Sequence, residues 1–299
     1  MHIVIAGGSG FVGKALQELL LNTDYEVTIL TRSPNKIKQT DRLRAVQWLV
    51  DQSEPEKQLG KVDAIVNLAG ESINGLRWTK SKKERILKSR IIVTKEINRI
   101  ISRLEKKPKV LVNASAVGYY GMSEEKTFTE ADGSPGTDFL AAVVNKWEKE
   151  ARKAEQYGVR TVVARFGIVL GQDGALPLMA FPYKIGVGGT IGSGEQWVSW
   201  VHVADVAGMI QFAIEHQEIS GPLNVTAPKP LKMKEFGKTI GIVLHRPHWL
   251  PVPSWLLKGL LGEMSEMLIN GQQVLPKKAH THGYVFKYPN LNQALNDSF

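Results

Sequence analysis

The chain has 299 residues, 43% apolar and 22% charged, with a formal net charge of +9 and no cysteine. That length supports one large domain or one with a small appendage, and the missing cysteines exclude disulfides, thiolate metal sites and thiol nucleophiles. No run approaches the roughly 20 apolar residues of a spanning helix, and the positive charge favours an anionic partner.

HIVIAG (2–7) is a β-branched run that reads as a first strand rather than a leader, so we expect a cytoplasmic location. FVGKALQELLLN (11–22) has helical spacing, and YEVTILTR (25–32) is strand-like again. VDAIVNLAG (62–70) is an apolar run closed by glycine, as a buried parallel strand should be. A long helix follows, with Ser81 and Glu84 at the spacing of a capping box. Its basic stretch RWTKSKKERILKSR (77–90) reads as a solvated helix face or, alternatively, as one that ends in a phosphate-facing arginine. No aromatic ribbon or zinc-finger spacing points to nucleic acid, and no segment points to a membrane partner.

KVLVNASAVGYYG (109–121) is a strand that runs into a loop. TDFLAAVVNKWEKEARKAEQYG (137–158) is a helix capped by Thr137 or Asp138 and ended by Gly158. VRTVVARFGIVLG (159–171) is a further strand, after which glycines and prolines break the pattern. The alternation predicts an α/β fold, a Rossmann-type doubly wound parallel sheet over residues 1–225. Residues 226–299 form a small C-terminal α/β appendage.

The chemistry concentrates at IAGGSGFVG (5–13). Gly7, Gly10 and Gly13 fit G-x-x-G-x-x-G behind a strand and ahead of a helix. There glycines permit the tight turn, backbone approach to a pyrophosphate and helix–strand packing. Free amides and the positive helix end then face the anion. An NAD-preferring site carries an acid after the second strand, but here stand Thr31 and Arg32 and no acid. A guanidinium pairs with a 2′-phosphate, so the expected cofactor is NADP (NADPH).

Several stretches together resemble the extended short-chain dehydrogenase/reductase superfamily, and more narrowly its atypical "epimerase family protein" branch. They include GGSGFVG (7–13), NLAGESI (67–73), LKSRIIVT (87–94), NASAVGYYG (113–121), NKWEKEA (145–151), RFGIVLG (165–171), IGSGEQWVSWVHVADVAG (191–208) and LNVTAP (223–228). The tail LLGEMSEMLINGQQVLPKKAHTHGYVFKYP is similar to that branch's C-terminal domain of unknown function. The resemblance implies an NADP-binding Rossmann domain with a substrate-side C-terminal domain. It places coenzyme contacts at the glycine loop (Gly7, Gly8, Ser9, Gly10, Phe11, Val12, Gly13), Thr31, Arg32, Leu68, Ala69, Arg90 and Val169, to which we add Gly70, Glu71 and Ser115.

The superfamily's acid/base machinery is a tyrosine and a lysine at i, i+4, the lysine lowering the tyrosine pKa. The residues four on from the seven tyrosines are Ile29, Ser123, Glu124, Thr161, Val187, Tyr288 and Asn292, so the pair is absent. The register set by Glu148 puts Leu140 and Val144 in its place. The catalytic candidates are then Ser115, Tyr119 and Tyr120, with Lys146 as a further acid/base. Two functions stay open. One is a reductase or nucleotide-sugar epimerase acting on a small anionic substrate; the other is a non-catalytic NADP-responsive regulator. A monomer or homodimer is expected.

His202 and Asp205 are in reach of a substrate or serve structure, Asp205 as a helix cap. His280 and His282 lack a third ligand, so no metal is expected. Gly188 to Gly194 reads as a mobile flap over the pocket.

Overall fold

Residues 1–73 and 77–299 are described by a computed structural model. Seven strands make one parallel sheet: β1 (His2–Ala6), β2 (Glu26–Thr31), β3 (Leu43–Gln47), β4 (Ala64–Asn67), β5 (Val110–Ala116), β6 (Arg160–Phe166) and β7 (Gly221–Val225). Their spatial order is β3-β2-β1-β4-β5-β6-β7. The order reverses between β1 and β4, and open sheets of this type bind ligands at such a switch point, beyond the strands' carboxyl ends.

The sheet is buried on both faces because helices cover each. Ile3, Ile5, Ile29, Val66, Val112 and Ala164 point to one core. There α1 (Phe11–Leu21) packs Leu16 and Leu20 alongside a later helix, Val203–Glu215, which contributes Val206, Ile210, Ala213 and Ile214. Val4, Ala6, Ile65 and Leu111 alternate to the other face, under α2 (Lys80–Arg103) with Val93, Ile97, Ile100 and Ile101. Period-2 strands meeting helical stripes give this layered arrangement.

Helix α2 starts earlier than its capping box suggests. Thr79 is the N-cap, its side chain accepting from the Lys82 N–H at 3.2 Å, while Ser81 Oγ accepts from Arg85. In α3 (Phe139–Ala151) the cap is Asp138, whose Oδ1 accepts from Ala141 N–H at 3.0 Å. A 3₁₀ extension, Arg152–Tyr157, ends at Gly158 with φ 75°, a left-handed stop suited to glycine.

After β6 the chain forms a short strand, Ile168–Leu170, paired in parallel with Trp200–His202. Between them lies α4 (Leu176–Lys184), which carries Pro177 and Pro182. The helix Val203–Glu215 is α5; beyond it come α6 (Met233–Val243), α7 (Ser254–Leu261) and α8 (Leu291–Ser298). Trp200, Phe236, Tyr183, Leu291 and Leu295 share a third core that joins the 168–198 region to the tail. Asp205 does not cap α5; His202 does, with its Nδ1 accepting from Ala204 N–H at 3.3 Å. Among the described residues no helix is long and apolar enough to cross a membrane.

Candidate functional site

The loop between β1 and α1 is shaped by what its glycines lack. Gly7 has φ 81°, and a Cβ there would stand 2.7 Å from the Leu68 carbonyl carbon. A Cβ on Gly13 would lie 2.3 Å from the Gly7 carbonyl oxygen, and one on Gly8 2.5 Å from Ile29. The glycines therefore bring β1, the β4 end and α1 together in a way no larger residue permits. Gly10 begins α1 without a side-chain cap, so the first-turn amides are left to a ligand.

A cleft of about 520 Å³ opens over this loop. Of the residues expected at a coenzyme, Gly7, Gly10, Phe11, Val12, Gly13, Leu68, Ala69, Gly70, Glu71, Arg90, Ser115 and Val169 line it. Gly8, Ser9, Thr31 and Arg32 do not. Arg32 is exposed at the end of β2, the strand beside β1, and its guanidinium has no partner among the described residues. The stripped cradle, the uncapped helix start and that arginine are the donor set a phosphorylated dinucleotide requires, so the residues present fit the group.

A buried polar network fixes the β4 edge of the cleft. Asn67 Nδ2 donates to Asn113 Oδ1 at 2.7 Å and to Thr94 Oγ1 at 3.2 Å, while its Oδ1 accepts from Ala69 N–H. Trp147 Nε1 donates to the same threonine oxygen at 3.0 Å. Full satisfaction of such groups holds a turn rigid. Arg90 lies against Trp147, 5.0 Å from its ring centroid, and gives Nη1 to the carbonyls of Glu71 and Ile86. Burial lowers its pKa, against the pull of the Glu71 charge. The Glu71 carboxylate is itself taken by Lys82 at 2.8 Å and Arg85 at 3.4 Å, and the lysine's hydrogen bond lowers its pKa.

The wall where the tyrosine–lysine pair would stand is apolar. Leu140, Val143, Val144 and Trp147 line the cleft at i, i+3, i+4 and i+7 along α3. Ser115 Oγ donates to Glu148 Oε1 at 2.6 Å, and Arg165 holds both oxygens of that carboxylate at 2.8 and 2.9 Å. An arginine-paired carboxylate only accepts, so the Ser115 proton is committed inward and its lone pairs face the cleft. Burial opposes the charge of Arg165, but Glu148 outweighs it and the pKa rises.

Neither candidate tyrosine lines the cleft. Tyr119 donates to the Gly133 carbonyl at 2.6 Å and Tyr120 to Asn224 Oδ1 at 2.7 Å. The Arg165 guanidinium lies 3.4 Å from the first ring and 4.8 Å from the second. Burial pushes the Tyr120 hydroxyl up to about 12, away from ready proton exchange near neutral pH. Lys146 is exposed on α3 and does not line the cleft. The geometry thus withdraws both tyrosines and the lysine from acid/base work and leaves Ser115.

Gly188–Gly194 does not cover the cleft either. Its carbonyls at Gly188 and Thr190 accept from Trp249, Leu250 and Val252, and Gly192 N–H donates back to Val252. His202 is buried beside Asp297 at 3.3 Å, and His280 and His282 are exposed. No cluster of three or more potential metal ligands occurs among the described residues. The resemblance puts the tail on the substrate side without naming its residues; Met267, Asn270, Gly271 and Gln272 are the ones that line the cleft. Gly271 packs so closely on Trp197 that a Cβ would sit 2.0 Å from its carbonyl oxygen, and only that tightness marks the contact in the sequence.

Sheet order, glycine cradle and switch-point cleft define a Rossmann-type protein of the short-chain dehydrogenase/reductase fold. Comparison with known proteins agrees. The NAD dependent epimerase/dehydratase family model matches residues 3–226, and a domain of unknown function (DUF1731) matches residues 252–298. The chain belongs to that epimerase/dehydratase family. Epimerase family protein YfhF of Bacillus subtilis (strain 168) is 51% identical, covering 99% of this chain and 97% of its own. Human epimerase family protein SDR39U1 (isoform2), solved with NADPH, is 34% identical with a TM-score of 0.88, covering 100% of this chain and 99% of that one. UDP-glucuronic acid 4-epimerase from Bacillus cereus, solved with UDP-glucuronic acid and NAD, has a TM-score of 0.79 at 16% identity over 100% of this chain and 98% of that one, a likeness of fold.

Proposed function

We propose that this protein is an NADP(H)-dependent oxidoreductase whose coenzyme lies along the β1–α1 loop. The observation that carries the reading is Arg32, an exposed guanidinium with no partner among the described residues, beyond β2 where an NAD site keeps an acid. The human relative solved with NADPH supports it. Main-chain amides at the start of α1 hold the pyrophosphate, and Leu68 and Ala69 flank the ribose. When bound, the coenzyme supplies a hydride donor or acceptor. Ser115 orients the reacting oxygen by accepting a hydrogen bond from a substrate hydroxyl. The apolar α3 wall excludes water from that point.

Calorimetric titration with NADPH and NADH tests the coenzyme. The wild-type protein should bind NADPH at least tenfold more tightly, and Arg32→Ala should lose most of that preference, a difference of about 1.5–3 kcal/mol for one charge-assisted contact. Equal affinities for the two coenzymes would refute the assignment.

A second reading, a non-catalytic NADP-responsive regulator, is favoured by one observation: Leu140 and Val144 stand where the acid/base pair belongs. It predicts tight NADPH binding with no turnover of any carbonyl or alcohol.

A further inference from the structure

The part of the cleft beyond Ser115 has a chemistry of its own. Its walls are Leu140, Val143 and Val144 from α3, faced by Met122, Trp197 and Met267. Its polar groups are mostly engaged. Ser199 Oγ donates to the Gln272 carbonyl at 2.8 Å and accepts from Val274 N–H at 2.9 Å, and Asn270 bonds the Glu266 carboxylate. Among the described residues the Ser115 lone pairs, the Gln272 side-chain amide and the Asn270 side-chain oxygen remain for a ligand. Gln272 is only 7% exposed, and its amide has no partner among the described residues.

Charge is the more telling feature. Among the described residues Arg90 is the only cation in the lining, and it sits at the β4 edge with Nη1 held by two carbonyls. The nearby cations of α2 are paired: Lys82 and Arg85 with Glu71, and Lys83 with Glu263 from the tail. A nucleoside diphosphate carries charge that a sheltered site must neutralise. Beyond Ser115 no side chain among the described lining residues does so.

We infer that this half of the cleft takes an uncharged, mainly apolar alcohol, its hydroxyl donating to Ser115, or the corresponding ketone, its oxygen accepting from the Gln272 amide, and not a nucleoside diphosphate or another anion. The inference deepens the coenzyme reading and rests on it. It replaces the anionic substrate that the net charge of +9 suggested.

The test uses the whole protein saturated with NADPH and titrated in a calorimeter with 4-phenylbutan-2-ol, in parallel with UDP-glucose. The reduced coenzyme cannot accept a hydride, so the heat reads binding alone. Saturable binding of the alcohol and none of UDP-glucose is expected. Met267→Lys and, separately, Met122→Lys should each weaken the alcohol at least fivefold while NADPH affinity holds. If NADPH itself fails to bind, the coenzyme reading falls and this inference falls with it. If NADPH binds but UDP-glucose saturates, or the alcohol gives no saturable heat, this inference alone is overturned.

Discussion

Ser115 Oγ and Glu148 Oε1 lie 2.6 Å apart across the β5–α3 junction, with both residues buried. The carboxylate is also locked to Arg165, so a hydroxyl facing the cleft is wired to a buried ion pair. The serine's hydrogen-bond polarity is set from behind, by a residue that never reaches the ligand.

That wiring makes the pair fragile on one side. Glu148→Gln keeps the shape but leaves the Arg165 charge buried without its partner, a loss of about 3–5 kcal/mol. Urea unfolding would measure it. The double variant Glu148→Leu with Arg165→Met should recover most of that stability, because packed apolar residues replace a buried ion pair at little cost. Ser115→Ala removes one hydrogen bond, a change of about 1 kcal/mol. NADPH affinity should survive it while turnover of an alcohol drops.

A surface cluster sets an acid limit. The Glu56 side chain is 6% exposed and bridges Arg99 at 2.8 Å and Arg103 at 3.1 Å. Burial raises its pKa, but the hydrogen bond from Arg99 leads the opposing effects and the net result is a fall to about 2. A carboxylate depressed by folding stabilises the native state above its unfolded pKa, near 4.5, and that contribution disappears as pH falls through about 2. Thermal melts between pH 5 and 2 should show a steep loss of stability. Glu56→Gln should flatten that slope and lower stability at pH 7.

Much of the fold was legible because its signals are local. The glycine loop, the β-branched strand before it and the Asp138 cap each lie within a few residues. What sequence reading missed is of two kinds. Strand β3 went unread because, apart from Val46, its residues are at most half-buried, so no apolar run marks it at the sheet edge. Helix α4 hid behind two prolines. In the cleft the missing parts are non-local: Glu148 and Arg165 meet across 17 positions, and Gln272 joins from the tail. Tyr119 and Tyr120 followed Ser115 closely enough in sequence to suggest a shared pocket, but the 3₁₀ turn Val117–Tyr120 buries both rings against Arg165.

Asp205 ties the end of the chain to the Rossmann core. It is 1% exposed, and its carboxylate accepts from Tyr284 Oη at 3.1 Å, Lys287 N–H at 2.7 Å and Tyr288 N–H at 2.9 Å. Burial raises the Tyr284 pKa, and the Asp205 charge raises it further, so the phenol stays a donor throughout the working pH range. Two of the three donors are main-chain amides, which no side-chain change can replace. Asp205→Asn keeps the size but puts an NH₂ where at least one of those donors points, and Asp205→Ala strands both amides, while the Tyr284 hydroxyl keeps the residue 205 carbonyl at 3.2 Å. Each loses a buried acceptor, at about 1–3 kcal/mol for every donor left unpaired. Hydrogen exchange should then show faster amide exchange at Lys287, Tyr288 and α8. The β1–α1 loop shares no hydrogen bond with this clamp, so NADPH affinity should change less than threefold. A variant that lost the coenzyme while residues 284–299 kept their protection would show that Asp205 acts on the cleft and not on the tail.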